Sequence, residues 1–200
     1  MKDDVLLHSS MILRNKATIA GNIVNASPIG DMSIMLLALN ASLVIEGNGK
    51  VREVALDKFY KGYKKFDLAV GEIIREIAIP FMASDTKYNF EKVSNRKILD
   101  IAAVNSSILV GAKANAITSL RISAGGVAPI PFMIDGLEKF TGKTITYGTV
   151  KDLAEYVISK VAPIDDVRGS ATYKKLLLRQ LIFAHFNKLF GVKVCSGEGC

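Results

Sequence analysis

Tryptophan is absent from this chain, and cysteine, histidine and proline are scarce, with two, two and five residues among 200. Both cysteines, Cys195 and Cys200, fall in the last six residues. No disulfide framework can therefore staple the fold, which must rest on an apolar core. Two thiols with only His8 and His185 to help them do not assemble a four-ligand metal centre, so no metal site is expected. No apolar run approaches the roughly 18 residues that a membrane-spanning helix needs. The start, Met1-Lys2-Asp3-Asp4, is acidic and lacks the basic-then-apolar layout of a secretory signal, which makes the cytoplasm the expected compartment. Neither a Walker loop nor a G-x-G-x-x-G fingerprint occurs, and no Ser-His-Asp or Cys-His arrangement suggests a nucleophile.

What remains is a globular composition, half hydrophobic and 22% charged, with a net charge of +7. That balance raises nucleic acid as a partner, and Lys58-Phe-Tyr-Lys-Gly-Tyr-Lys-Lys65 does interleave aromatics with lysines as single-strand binders do. The positive charge is otherwise spread along the chain, so the run reads as a turn with solvated lysines and no nucleic-acid partner is expected. A basic surface also suits docking on acidic protein subunits.

The pattern of elements is strands followed by helices in each half, which indicates an α+β fold rather than a doubly wound sheet. Val5–Leu13 reads as a short helix leading into a strand. Met32–Leu39 is a compact run of helix formers, with Asp31 or Ser33 as its cap. Ala41–Ile45 and Val51–Leu56 flank the turn Glu46–Lys50 as a hairpin, and Gly71–Pro80 alternates and stops at a proline as an edge strand does. Beyond a boundary at Pro80–Asp85, Lys87–Val93, Ile101–Ala114 and Leu120–Val127 make a three-stranded antiparallel sheet. Helices follow near Asp135–Phe140, Val150–Val161 and Ser170–Phe190, the last apolar along one stripe, capped by Ser170, with Lys174, Lys175, Arg179 and Lys188 on its surface. Two domains, 1–84 and 85–190, and a flexible tail, 191–200, are expected.

Thr18-Ile-Ala-Gly-Asn-Ile-Val-Asn-Ala-Ser-Pro-Ile-Gly-Asp31 is the segment that carries chemistry. A loop of small residues lets backbone N–H groups converge on an anion, and Gly21 opens backbone angles closed to other residues. Thr18, Asn22, Asn25 and Ser27 add short hydrogen-bonding arms. The helix that follows would aim its positive end at the same place. Asp31 repels phosphate but accepts from hydroxyls, and the combination suggests a ligand with a diphosphate and a polyol. A turn rich in small residues between two elements remains an equal reading of the same residues.

Arg14-Asn-Lys-Ala-Thr-Ile-Ala-Gly-Asn-Ile23 with Ala26-Ser-Pro-Ile-Gly-Asp31 resembles the second FAD-binding motif of the molybdenum hydroxylases, R-N-x-A-T-I-G-G-N followed by S-P-x-x-D. That family includes xanthine dehydrogenases and the carbon monoxide dehydrogenase medium subunit. Gly71–Pro80 resembles the strand closing the same vanillyl-alcohol-oxidase/PCMH-type FAD domain. Lys92–Arg96, Arg121–Pro131 and Asp166–Lys174 resemble successive blocks of its C-terminal domain. The resemblance implies that Thr18, Ile19, Ala20, Gly21, Asn22, Asn25 and Ser27 hold FAD, that Asp31 holds one of its hydroxyls, and that Ile74 lies near a ring. Ala20 stands where the pattern has the first glycine of a pair, and a positive φ there would strain it. The family's first glycine-rich motif has no counterpart upstream of Met1, which implies a missing N-terminal FAD subdomain. No catalytic residue is expected, because the chemistry would be the cofactor's. The implied role is electron transfer from 2Fe-2S clusters through FAD to NAD or another acceptor. Molybdopterin would lie on a large partner subunit and the clusters on a small one. The alternative is a fragment that keeps the fold and docking surface without binding FAD.

Overall fold

A computed structural model describes residues 2–96 and 100–193. Cys195, Cys200 and most of the expected tail lie outside the described residues. The chain opens with three short helices, α1 (Lys2–Val5), α2 (Met11–Lys16) and α3 (Ile19–Val24), and then α4 (Asp31–Ala38). The strand expected near Leu13 is therefore α2, because the Ser10 hydroxyl accepts the Leu13 N–H and closes a helical turn. Arg14 steadies the preceding turn by donating to the carbonyls of Leu6, His8 and Ser9.

Strands β1 (Ser42–Gly47), β2 (Lys50–Ala55) and β5 (Glu72–Ala78) form a small antiparallel sheet in the order β2-β1-β5. Asn48 and Gly49 both have positive φ, the two-residue turn that matches strand twist and that Asn-Gly favours. Helix α5 (Leu56–Phe59) and the strand pair β3 (Tyr60–Gly62) and β4 (Lys65–Phe66) occupy the lysine-rich run. Arg52 joins Glu72 through both carboxylate oxygens at 2.9 and 2.8 Å, and this hydrogen bonding holds the Glu72 carboxyl down at about 2.

The second sheet runs β6-β7-β8-β9, from β6 (Thr86–Val93), β7 (Val104–Lys113), β8 (Ala116–Gly125) and the two-residue β9 (Phe132–Met133). The fourth strand escapes the sequence pattern because two residues cannot show a period. One face of the sheet, with Ile108, Val110, Ile122 and Ala124, shares a core with α6 (Tyr147–Ser159) and α7 (Ala171–Phe190). The residues expected as a helix at 135–140 form a 3-10 turn over Leu137–Phe140.

The other face takes α4, all eight of whose residues are buried. Neither Asp31 nor Ser33 caps it; the N-cap is Gly30, and Asp31 is the first helical residue. A helix buried all round has terminal carbonyls and amides that water cannot reach. The sheet supplies partners for several of the carbonyls. Arg121 donates to the Leu37 and Ala38 carbonyls at 3.1 and 3.3 Å, and the Ser123 hydroxyl donates to the Ile34 carbonyl at 2.6 Å. Tyr60, hydrogen-bonded to Ser33 at 2.9 Å, is pushed up to about 12 by burial.

Lys174 departs from its expected place on the surface: it is 1% exposed, with Nζ 2.7 Å from Asp166 and 2.9 Å from the Ile164 carbonyl. His185 is fully buried on α7, where Asn89 donates to Nδ1 at 2.8 Å and Nε2 finds no partner among the described residues. Burial lowers its pKa from 6.5 to about 3. The unfolded chain therefore binds one more proton than the folded one between these values. His185 stabilises the fold fully above pH 6.5, and that contribution is lost as pH falls toward 3. In urea titrations, the loss attributable to this group should reach about 1.4 kcal/mol per pH unit. His185→Gln should flatten the slope. Parallel pH profiles for the two proteins would mean that the imidazole is already solvated in the native state.

Candidate functional site

One concavity has a volume of about 960 Å³, at the upper end of what small ligands and cofactors occupy. Both halves of the chain line it. From the first come His8, Asn22, Asn25, Ser27–Asp31, Tyr63 and Lys64; from the second, Asp100–Ala102, Gly126, Ala128, Pro129, Ala162–Ile164, Asp166, Arg168 and Lys174.

The segment Thr18–Asp31 reaches it through a helix and a turn rather than an open loop. Residues Ile19–Val24 are helical, with the Thr18 hydroxyl accepting the Gly21 N–H at 2.9 Å. Gly21 has no positive φ; it matters because a Cβ would crowd the Thr18 oxygen. Ala20 is likewise helical, so it replaces glycine without strain. After α3, Lys64 donates to the Asn25 carbonyl at 2.5 Å and to its side-chain oxygen at 3.3 Å. The Ser27 carbonyl accepts the Gly30 N–H, and the Ser27 hydroxyl accepts that of Ile29. The turn is pinned to the second half by Gly126, whose N–H donates to the Pro28 carbonyl at 3.1 Å. A side chain at Gly126, where φ is +82°, would collide with the Ala103 carbonyl, so this approach needs glycine.

Asp31 lies at the end of the turn and is buried. Asn105 donates to Oδ1 at 2.6 Å, Lys92 donates to Oδ2 at 2.7 Å, and His8 Nδ1 is 3.6 Å from the same oxygen. Lys92 also reaches the Leu7 carbonyl, tying the N-terminal turn to the sheet.

Of the residues expected at the site, the cavity brings together Asn22, Asn25, Ser27 and Asp31. Thr18, Ile19, Ala20 and Gly21 build the helix behind Asn22, and Ile74 packs on the core beneath the small sheet rather than lining the cavity. The decisive polar atom is Asn22 Oδ1, which is buried and has no hydrogen-bond partner among the described residues. A native protein leaves few such atoms, and this one belongs to a residue on the cavity lining. Sequence reasoning did not place Lys64, Asp100 or Lys174 here. Their contribution depends on long-range folding and carries no local signal.

A family model for the FAD binding domain in molybdopterin dehydrogenase matches residues 5–82, and one for the carbon monoxide dehydrogenase flavoprotein C-terminal domain matches residues 89–189. The chain belongs to the carbon monoxide dehydrogenase flavoprotein family. Within this flavoprotein family, the glyceraldehyde dehydrogenase medium chain of Sulfolobus acidocaldarius is 33% identical over 180 residues, covering 90% of this chain and 63% of its own. The carbon monoxide dehydrogenase medium chain of Hydrogenophaga pseudoflava is 30% identical over 171 residues, covering 85% and 59%. A solved carbon monoxide dehydrogenase from the same organism, lacking the Mo-pyranopterin moiety of its cofactor, superposes with a TM-score of 0.85 at 29% identity over 90% of this chain and 63% of that one. The chain thus spans about six-tenths of the length of the medium chains it resembles.

Asp31→Asn leaves the Lys92 ammonium, 7% exposed, without its counter-charge. Removing one partner of a buried pair should lower stability by roughly 3–5 kcal/mol. Chemical denaturation measures it, and a loss below about 1 kcal/mol, the scale of an exposed pair, would show that water reaches the ammonium.

Proposed function

We propose that this chain is the FAD-holding, electron-transferring part of a molybdenum hydroxylase. The observation that carries this reading is Asn22: a residue of the FAD-binding motif, on the cavity, with a buried oxygen awaiting a donor. Bound FAD would supply reversible electron acceptance. The chain's own residues would hold and orient it. Asn22 would accept from a hydroxyl or ring N–H, and Ser27 and Asn25 would offer short polar arms. Thr18, Ile19, Ala20 and Gly21 would present the helix start, where no acceptor meets the Ile19 and Ala20 amides among the described residues. Asp31, with its two oxygens already bound, would add a hydroxyl contact through remaining lone pairs, and Ile74 would act through packing.

In the same reading, residues 1–84 and 85–190 are the two domains of a medium subunit. A molybdopterin-binding large subunit and a 2Fe-2S small subunit are the partners, and NAD or another acceptor takes the electrons. The cytoplasm is the compartment this reading assigns. No helix among the described residues is long and apolar enough to cross a membrane. A second reading is that the chain keeps the fold and the docking surface without binding FAD.

The test is the visible absorption spectrum after incubation with excess FAD and desalting. Retained flavin bands support the first reading. A colourless protein supports the second. Asn22→Ala should leave the melting temperature unchanged or raise it, since an unsatisfied acceptor is removed, and should weaken FAD binding about tenfold. Equal FAD affinity in Asn22→Ala and the wild type would remove Asn22 from the site.

A further inference from the structure

Asn105 stands in the middle of a row that crosses three strands. In register it faces Lys92 of β6 on one side and Gly125 of β8 on the other. All three meet the motif turn or the start of α4. Lys92 holds Asp31 Oδ2, and the Asn105 amide nitrogen donates both to Asp31 Oδ1 at 2.6 Å and to the Ile29 carbonyl at 3.2 Å. Gly125 has no positive φ, so its backbone does not demand glycine. Space does: a Cβ there would collide with Asn105 Oδ1 and stand 3.1 Å from both Ile29 Cα and Ile34 Cγ1. Glycine inside a strand marks such a close approach.

The amide is costly to keep at this place. Asn105 is fully buried, and its Oδ1 has no hydrogen-bond partner among the described residues. Turning the amide over would set that oxygen against the Asp31 carboxylate, so the nitrogen must face Asp31. An apolar side chain of the same shape would fill the slot without leaving a buried acceptor unpaired. What the amide gains is its grip on two points, two residues apart, of the turn that carries Ser27 to the cavity. Ser27, Ile29 and Asp31 line that cavity, whereas Asn105 lies behind them.

We propose that Asn105 is a positioning residue for the cofactor-binding segment, seated in the slot that Gly125 leaves and acting through Ile29 and Asp31. The second half of the chain then sets the shape in which the motif turn meets its ligand. This inference rests on the reading of the segment as the one that holds FAD. The charged groups that face Asn105 are Asp31 of α4, Lys92 of β6 and, when protonated, His8 of the N-terminal turn.

The test is amide hydrogen exchange on the full chain at pH 5 and pH 8, corrected for intrinsic rates, with FAD titrations beside it. The Gly30 and Gly126 amides, bonded to the Ser27 and Pro28 carbonyls, report the turn. Leu153 on α6 and Leu178 on α7 report the rest of the fold. Asn105→Leu keeps the bulk and loses the donor, and should lower protection of the turn amides by about tenfold at both pH values. Asn105→Asp separates a bond from a shape. Burial and the Asp31 charge raise the introduced carboxyl, so at pH 5 it is protonated and donates as the amide does. As pH rises through that raised value it ionises against Asp31, and turn protection should fall toward that of Asn105→Leu. FAD affinity, where the wild type binds FAD, should follow turn protection across variants and pH. Unchanged turn protection in Asn105→Leu, or equal losses at Leu153 and Leu178, would overturn the proposal. So would the absence of pH dependence in Asn105→Asp, or FAD affinity that stays constant while the turn loosens. A pH-dependent turn in a chain whose wild type binds no FAD would keep Asn105 as the residue that shapes the turn and sink the FAD reading.

Discussion

The carboxylate of Asp31 is the constraint on which the two halves of this molecule agree. It begins a helix with no exposed residue, so water cannot solvate it, and moving such a charge out of water carries a penalty of several kcal/mol. The penalty is offset by an ammonium from β6, which also holds the Leu7 carbonyl of the N-terminal turn, and by an amide from β7. Each of those groups comes from a different stretch of chain. The carboxylate is therefore satisfied only when the N-terminal turn, the motif segment and the second sheet have all assembled. The start of a helix is also where its dipole favours negative charge, which adds to the same preference.

From that anchor the cavity follows. With Asp31 and Gly126 holding the turn at 27–30, the motif segment cannot slide along the second sheet, and its polar side chains face loops from the far half. The C-terminal end of α4 is fixed equally firmly by Arg121, whose guanidinium is itself partly desolvated and spends its donors on carbonyls instead of a carboxylate. The polar positions on this face of the sheet, Asn105, Ser123 and Arg121, are thus read as backbone partners for a buried helix. In an isolated strand they would have looked like solvent-facing residues.

That distinction explains what the sequence made legible. The Asn48-Gly49 hairpin and the Ser170-capped helix were readable because the residues that decide them are neighbours in the chain. The motif was readable as a spacing of small and polar residues, and its assignment to FAD came from resemblance across ordered blocks. Lys174 was misplaced because helical spacing says which residues share a face but not that a carboxylate eight residues upstream will draw one lysine inward. The caps of α4 were misplaced for a related reason. Asp31 looks like a cap from its type, yet its side chain is claimed by the sheet, and Gly30 can take the extended cap geometry in its place. Helix α3 was hidden because a short helix of Ile, Ala, Gly and Asn has no period of its own.

The same carboxylate limits what the site can do. A carboxylate has about four lone-pair directions, and two strong donors already occupy Asp31 at short range. It can still accept from a hydroxyl, but a mutation there will injure the fold before it reveals a ligand contact. Asn22 stands in the opposite position, with an acceptor that the fold leaves unused. Residues committed to the fold and residues left over by it thus alternate along one segment. A motif residue whose bonds are all made internally shapes the site, and one with a bond left to make is where a ligand would be felt. By this criterion Thr18 and Asp31 belong to the first group. Asn22 belongs to the second.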